Sequence, residues 1–234
     1  MSIKLYSGVP GSGKSYHAVS DIVFAVRQGK YVYTNIELDY AAVAKCCRKK
    51  LDFVKQHIFY KDTYDITISD IIFSLRPHAK AKKEHQFLLV IDEAGDIFNP
   101  REWKSPDRLD WLKFFRLHRH FYIDVILIAQ DDEYVDKQIR GVIELEGQHV
   151  NVRYYKTLGF FLSLIFGGLF VCHNKMYQTR LKNDNTWIIR RRKISKCYDT
   201  FSLAVDYYAQ PSAFLGASSE RDNQEQEERS DNTC

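Results

Sequence analysis

Apolar positions along this chain fall into short unbroken runs that alternate with helical stripes. Ile3, Leu5 and Tyr6 form a brief apolar run ahead of a glycine-rich turn. Past the turn, Ala18, Val19, Ile22, Val23 and Val26 recur at helical spacing up to Gly29, which predicts an amphipathic helix. Tyr31–Thr34 is β-rich and predicts a second strand. Asp39 is expected to open a helix over 39–50, with Lys45, Arg48, Lys49 and Lys50 basic toward its end; residues 53–68 follow no clear period. Residues 70–75 predict one or two helical turns stopped by Pro77, and Lys80, Lys82 and Lys83 an exposed loop.

Phe87–Ile91 is apolar without interruption, the mark of a strand buried on both faces in a parallel sheet. Residues 106–120 predict a helix with Leu109, Leu112, Phe115 and Leu117 inward and Arg108, Lys113, Arg116 and Arg119 outward. Another continuous apolar strand is expected over 123–129, a short helix over 131–139, and β-like stretches over 142–145 and 150–155. Strands and helices in alternation predict an α/β fold with a mainly parallel central sheet, helices on both faces, and a β-rich extension at the C-terminal side.

Two turns carry recognisable chemistry. The first reads Gly8-Val9-Pro10-Gly11-Ser12-Gly13-Lys14-Ser15, a complete P-loop pattern between a predicted strand and a predicted helix that begins with Tyr16. Its glycines let the backbone wrap a phosphate, and the helix start aims N–H groups and a positive dipole end at the anion. Residues 8–16 are therefore the expected nucleotide-binding stretch. Lys14 would meet the terminal phosphates and the Ser15 hydroxyl would ligate Mg²⁺. The second turn is Asp92-Glu93, two carboxylates at the end of the central apolar strand. Asp92 would hold Mg²⁺ through water and Glu93 would polarise the attacking water. ATP and Mg²⁺ are thus the expected cofactors, and a three-layer P-loop NTPase is the expected fold. Gln130, at the end of the 123–129 strand, is either a γ-phosphate sensor or the start of a turn.

Charge adds an asymmetry. The 234 residues carry +4 overall, but residues 217–234 hold six acidic and two basic side chains, leaving +8 on the rest. A basic body suits an anionic partner such as nucleic acid, nucleotide or anionic lipid, or is simply a solvated surface. The five cysteines show neither CxxC nor metal-ligand spacing and read as reduced thiols. No basic-then-apolar leader opens the chain. Residues 158–172 are strongly apolar but short for a membrane span and divided by Gly167-Gly168. Buried or partner-facing strands are the favoured reading, a membrane-inserted or re-entrant segment the alternative. Residues 187–194 (Trp-Ile-Ile-Arg-Arg-Arg-Lys-Ile) predict a basic strand, suited either to a single-stranded nucleic-acid backbone or to an edge that discourages aggregation. The polar tail is expected to be disordered from about residue 216.

Several short stretches together resemble the zonula occludens toxin family, which includes the filamentous-phage assembly ATPase. They are Tyr6-Ser7-Gly8 through Ser15, Asp92-Glu93-Ala94, Arg119-His120 followed by Asp124 and a strand ending at Gln130, residues 136–140, and Tyr198-Asp199-Thr200. The resemblance spans most of residues 1–201, read as the ATPase domain (158–194 its β-rich or membrane-facing part), with 202–234 as an acidic tail. It implies an ATP-hydrolysing motor that assembles and extrudes single-stranded DNA phage at the host inner membrane. Lys14, Ser15, Asp92 and Glu93 would be the hydrolytic centre. Arg119 would be either a finger reaching a neighbouring subunit's nucleotide in a homo-oligomeric ring or a helix-end surface arginine. The implied partners are phage coat and single-stranded-DNA-binding proteins, an outer-membrane export channel, DNA itself and the inner-membrane surface. Many members continue into a transmembrane helix and a periplasmic domain. The short acidic tail here argues against direct spanning and against a secreted toxin fragment. The rivals are a small-molecule kinase, with Arg116, Arg119 and Arg190–Arg192 as lid residues, and a membrane-associated scaffold that binds nucleotide without turning it over.

Overall fold

In the computed structural model, residues 1–80, 83–100, 108–155, 159 and 167–198 are described, all within the unit Met1–Tyr198. The chain order is β1 (Ile3–Ser7), α1 (Lys14–Arg27), β2 (Tyr31–Thr34), α2 (Tyr40–Cys47), α3 (Leu51–His57), β3 (Ile58–Tyr60), α4 (Ile68–Leu75), β4 (Phe87–Ile91), α5 (Ala94–Ile97) and α6 (Arg108–Leu117). It continues with β5 (Ile123–Ile128), α7 (Lys137–Arg140), β6 (Leu145–Asn151), β7 (Leu169–Met176), β8 (Lys182–Ile189) and α8 (Arg192–Ser195). The strands form one sheet in the order β3-β2-β4-β5-β1-β6-β7-β8. The first six run parallel, and β7 and β8 are antiparallel additions.

Every residue of β4 is buried, as its unbroken apolar run requires. One face of the sheet packs under Ala18, Val19, Ile22, Val23 and Val26 of α1, joined by Val43, Cys47 and Val54 from α2 and α3. The other face packs under Ile71 and Leu75 of α4 and the aromatics Phe98, Trp111, Phe114 and Phe115. These are the two helical layers expected from the alternating pattern.

Several expectations are corrected. The helix over 39–50 ends at Cys47, where Arg48 turns left-handed (φ 58) inside the run of cations; α3 and β3 then occupy part of the stretch that showed no period. In α6 the inward side chains are Trp111, Leu112, Phe114 and Phe115, while Leu109 is 61% exposed and Leu117 is exposed as well. The aromatic trio has more apolar area to bury, with Trp111 and Phe115 edge-on to Phe98 and Phe114 edge-on to Trp111, so it sets the helix rotation. Residues 131–139 form a 3₁₀ turn and the short α7 rather than one helix. The two β-like stretches at 142–145 and 150–155 give way to β6, centred between them and parallel to β1.

In the 158–172 run, Leu169–Cys172 lie buried in β7, directly after Gly167-Gly168; residues 158 and 160–166, the half of the run before those glycines, fall outside the described residues. The basic strand expected at 187–194 is instead β8, which ends at Ile189 and forms one edge of the sheet, with Arg192 and Lys193 in α8. The acidic tail is also outside the described residues. Among the described residues no helix is long and apolar enough to cross a membrane.

Candidate functional site

Parallel pairing brings the C-terminal tips of β1, β2, β4 and β5 to one edge of the sheet. Leu5 is level with Leu127, and Leu127 with Ile91. β5 lies between β1 and β4, so the first glycine-rich turn and Asp92 stand two strand spacings apart, about 10 Å. Gln130 caps the strand between them.

The loop adopts the shape its glycines permit. Gly8, Gly11 and Gly13 have φ of 137, 76 and 95. A side chain at Gly8 would strike the His149 carbonyl, and one at Gly13 would meet the Phe170 ring at 2.7 Å. At Gly11 there is only open space, so backbone conformation alone demands glycine there. The Gly8 N–H donates to the Gln130 carbonyl at 3.1 Å, fastening the loop to the tip of β5. Val9 and Pro10 are exposed at the turn's outer rim. Ser12 is wholly buried, and its hydroxyl has no partner among the described residues, as expected of a group reserved for a ligand.

Lys14 is buried and folds back, donating to the Gly8 carbonyl at 2.7 Å and the Val9 carbonyl at 3.2 Å. Burial lowers its pKa, opposed by the charges of Glu93 and Asp92. Ser15 lies near enough to the Asp92 carboxylate to hold its pKa down, so the two expected Mg²⁺ ligands face one another. Burial raises the Asp92 carboxyl, while Ser15, the Glu93 N–H (2.9 Å) and Lys14 pull it back. Glu93 sits in the left-handed region (φ 47), a conformation that costs a non-glycine residue about 1–3 kcal/mol and collects at functional sites. Its pKa is raised by burial first, then by Asp92 and Asp96. Glu93 and Gln130 share the wall of a cavity of about 550 Å³ with Asp96, Glu133 and Tyr134. An orphaned loop hydroxyl, a loop that only glycine can follow, and a cation beside two carboxylates fit a Mg²⁺-nucleoside triphosphate.

Two expected site residues have side chains away from this loop. Arg119 follows α6 on the way into the N-terminal end of β5, at the sheet edge opposite the loop. There it donates to Glu144 at 2.6 Å and is 61% exposed, away from this chain's own centre and on the surface, where a finger toward a neighbouring subunit and a surface arginine would both lie. Tyr16 is buried against Phe170 and Ile188; its hydroxyl accepts from the Arg191 N–H at 2.8 Å and donates to the Ile189 carbonyl at 3.2 Å. Its side chain ties α1 to the end of β8, leaving only its main chain near the loop. Tyr16→Phe is expected to lower stability by about 1 kcal/mol without changing nucleotide affinity, checked by thermal melting and a binding titration.

Asn35 was not singled out by its sequence context. It lies just past β2, donates to the Asp92 carbonyl at 2.8 Å and accepts from the Asp92 N–H at 2.7 Å. It also donates to Thr63 Oγ1 at 2.8 Å. A polar residue closing a buried parallel strand was the available signal. Asn35→Ala is expected to cost about 1–3 kcal/mol in melting experiments and to reduce turnover more than nucleotide binding, because it frees the backbone that aims Asp92. Other residues shared with the family resemblance serve as scaffold. Asp124 gathers Lys30, His85 and the chain's N-terminal amine, while Asp136 caps α7 and pairs with Arg108 at 2.9 Å.

Compared with known proteins, residues 2–162 match the family model described as zonular occludens toxin (Zot). The chain is 29% identical over 143 residues to the Gene 1 protein of Enterobacteria phage fd, covering 61% of this chain and 40% of that protein. It is 31% identical over 147 residues to the Gene 1 protein of Salmonella phage IKe, covering 61% and 38%. It therefore spans about two fifths of these curated relatives. Among solved structures, the N-terminal domain of zonular occludens toxin from Neisseria meningitidis aligns with TM-score 0.50 and 18% identity, over 85% of this chain and 98% of that one. The RadB recombinase aligns with TM-score 0.53 and 14% identity, over 82% and 88%. These structural likenesses identify the fold, that of P-loop NTPases.

Proposed function

From the premise that this chain belongs to the zonular occludens toxin family, we propose that it is a P-loop ATPase whose hydrolysis drives assembly and export of a filamentous single-stranded DNA phage at the host inner membrane. The observation that carries the proposal is the gathering of Ser15 and Lys14 around the Asp92 carboxylate, near enough to act on its charge, with Glu93 next in the chain and Gln130 at the same sheet edge. Bound ATP with Mg²⁺ would supply a transferable phosphoryl group whose negative charge the metal helps to neutralise.

The chain's own part is positioning and charge. The loop N–H groups and the N-terminus of α1 bind the phosphates, and Lys14 turns from neutral carbonyls to a charged acceptor, a stronger class of hydrogen bond. Ser15 and Asp92 would hold the ion, and Asn35 fixes the Asp92 main chain from behind. Glu93 takes a proton from water, and Gln130 orients that water or senses the terminal phosphate. The motor would act as a homo-oligomeric ring with phage coat and single-stranded-DNA-binding proteins, an outer-membrane channel, the exported DNA and the membrane surface as partners.

The deciding experiment incubates the purified chain with ATP and Mg²⁺, without any acceptor, and follows release of inorganic phosphate. Sustained turnover is expected. A chain idle until a small-molecule acceptor is added is a kinase. Stoichiometric binding without turnover, even with single-stranded DNA and membrane vesicles present, marks a scaffold.

A further inference from the structure

Behind the P-loop lies a second cluster that the nucleotide chemistry does not use. His17 stands on α1, one turn beyond Lys14; His149 is on β6 and Cys172 on the neighbouring β7. One donor atom from each lies within 4.8 Å of the other two. We propose that these three side chains bind one zinc-class divalent ion through two imidazole nitrogens and a thiolate, fastening the P-loop helix to the β6–β7 part of the sheet. Binding releases the thiol proton to water.

The hydrogen bonds already set the ligand atoms. His149 Nδ1 lies 2.9 Å from the Gly147 carbonyl, which can only accept, so this nitrogen carries the proton and Nε2 presents its lone pair. That Nε2 faces His17 Nδ1 at 2.8 Å. A protein carbonyl holding the far nitrogen of an imidazole is the usual support of a metal-bound histidine. The sulfur has space made for it. Gly147 lies in the middle of β6, where glycine weakens a strand, and a Cβ there would stand 2.7 Å from Cys172 Sγ.

His149 and Cys172 are 1% and 0% exposed, while His17 is half-buried and able to adjust. The sulfur has to close by up to about 1 Å, since nitrogen and sulfur on one tetrahedral zinc stand roughly 3.6 Å apart, and the two nitrogens open slightly. Two nitrogens on a tetrahedral zinc stand roughly 3.3 Å apart, about half an ångström more than the present separation. Tyr6 stacks on His17 at 4.7 Å and meets His149 edge-on at 4.8 Å, walling one side, and its hydroxyl donates to Asp21 at 2.7 Å. The charged groups acting on the cluster are Asp21 and Asp184 on one side of the balance and Lys4 and Lys14 on the other. A nitrogen–sulfur donor set selects a borderline-soft ion and leaves Mg²⁺, which demands oxygen, to the nucleotide site. Water completes the fourth position.

The test uses the full chain stripped with a chelator and titrated with Zn²⁺ and, separately, Co²⁺. One Zn²⁺ per chain, a rise in melting temperature on binding, and a thiolate-to-cobalt charge-transfer band are expected. Cys172→Ser should abolish that band, and His149→Gln and His17→Gln should each weaken Zn²⁺ binding by more than about tenfold. His17→Gln alters a half-buried position, so it carries the test if either buried variant fails to fold. The Cys46 and Cys197 thiols, 3.6 Å apart, are the competing soft donors. Binding that is lost in Cys46→Ser but kept in His17→Gln overturns the proposal. So does a chain that takes up no stoichiometric Zn²⁺, or a cobalt complex without a thiolate band.

Discussion

Lys14→Ala should reduce ATP hydrolysis by at least about a hundredfold and weaken nucleotide binding as well, measured by phosphate release and by titration with a fluorescent ATP analogue. Lys14 is the cation within the loop. Its ammonium is buried and donates to two loop carbonyls, and both site carboxylates act on its charge. Alanine keeps the helix start, since it is the best helix former, but removes the charge that phosphate oxygens would meet. The loop's shape rests on Gly8, Gly11, Gly13 and the Gly8–Gln130 bond, none of which alanine disturbs. Lost turnover with at most a drop of about 1–3 kcal/mol in stability, from the two loop hydrogen bonds removed, is therefore the expected pair of results. A variant that hydrolyses ATP like the parent would remove this loop from the catalytic assignment.

Glu93→Gln should separate binding from chemistry. Glutamine keeps the length and tolerates the same left-handed backbone as poorly as glutamate does, so the fold is preserved, but it cannot accept a proton from water. Turnover should fall by about 10²–10⁴-fold while ATP binds as before. The parent enzyme's pH profile offers an independent check. Burial and the neighbouring Asp92 and Asp96 raise the Glu93 pKa, so the base loses its activity at a higher pH than an ordinary glutamate would. As pH falls, Glu93 takes up its proton early, and the acid limb of kcat/KM should lie above about pH 4.3. In Glu93→Gln the residual rate should lose that limb.

The parallel sheet and its loop were legible because each rests on local chemistry. Phe87–Ile91 is apolar at every position, which only a strand covered on both faces tolerates, and the P-loop glycines are demanded by the backbone itself. Other features depended on competition between segments. Leu109 and Leu117 share a plausible stripe with Leu112 and Phe115, yet Trp111 and Phe114, each one step away, bury more area and turn the helix toward themselves. Arg119 matches a family pattern in sequence, but the direction of β5 carries its start to the edge away from the loop. Asn35 is an ordinary loop residue in the sequence, and only the pairing of β2 with β4 sets it against the main chain of Asp92.

The sequence by itself determined which segments are strands or helices where period and propensity agree, the phosphate-wrapping loop, and the acidic pair that follows a buried strand. These are properties of a few consecutive residues, set by backbone sterics and by the cost of exposing apolar side chains. The tertiary structure alone decided the strand order, and with it that the P-loop and Asp92 share one sheet edge, that Gln130 ends the strand between them, and that His17, His149 and Cys172 converge. His17 and His149 are 132 positions apart in the chain. No local preference encodes such a meeting; it follows from which apolar faces bury best against one another.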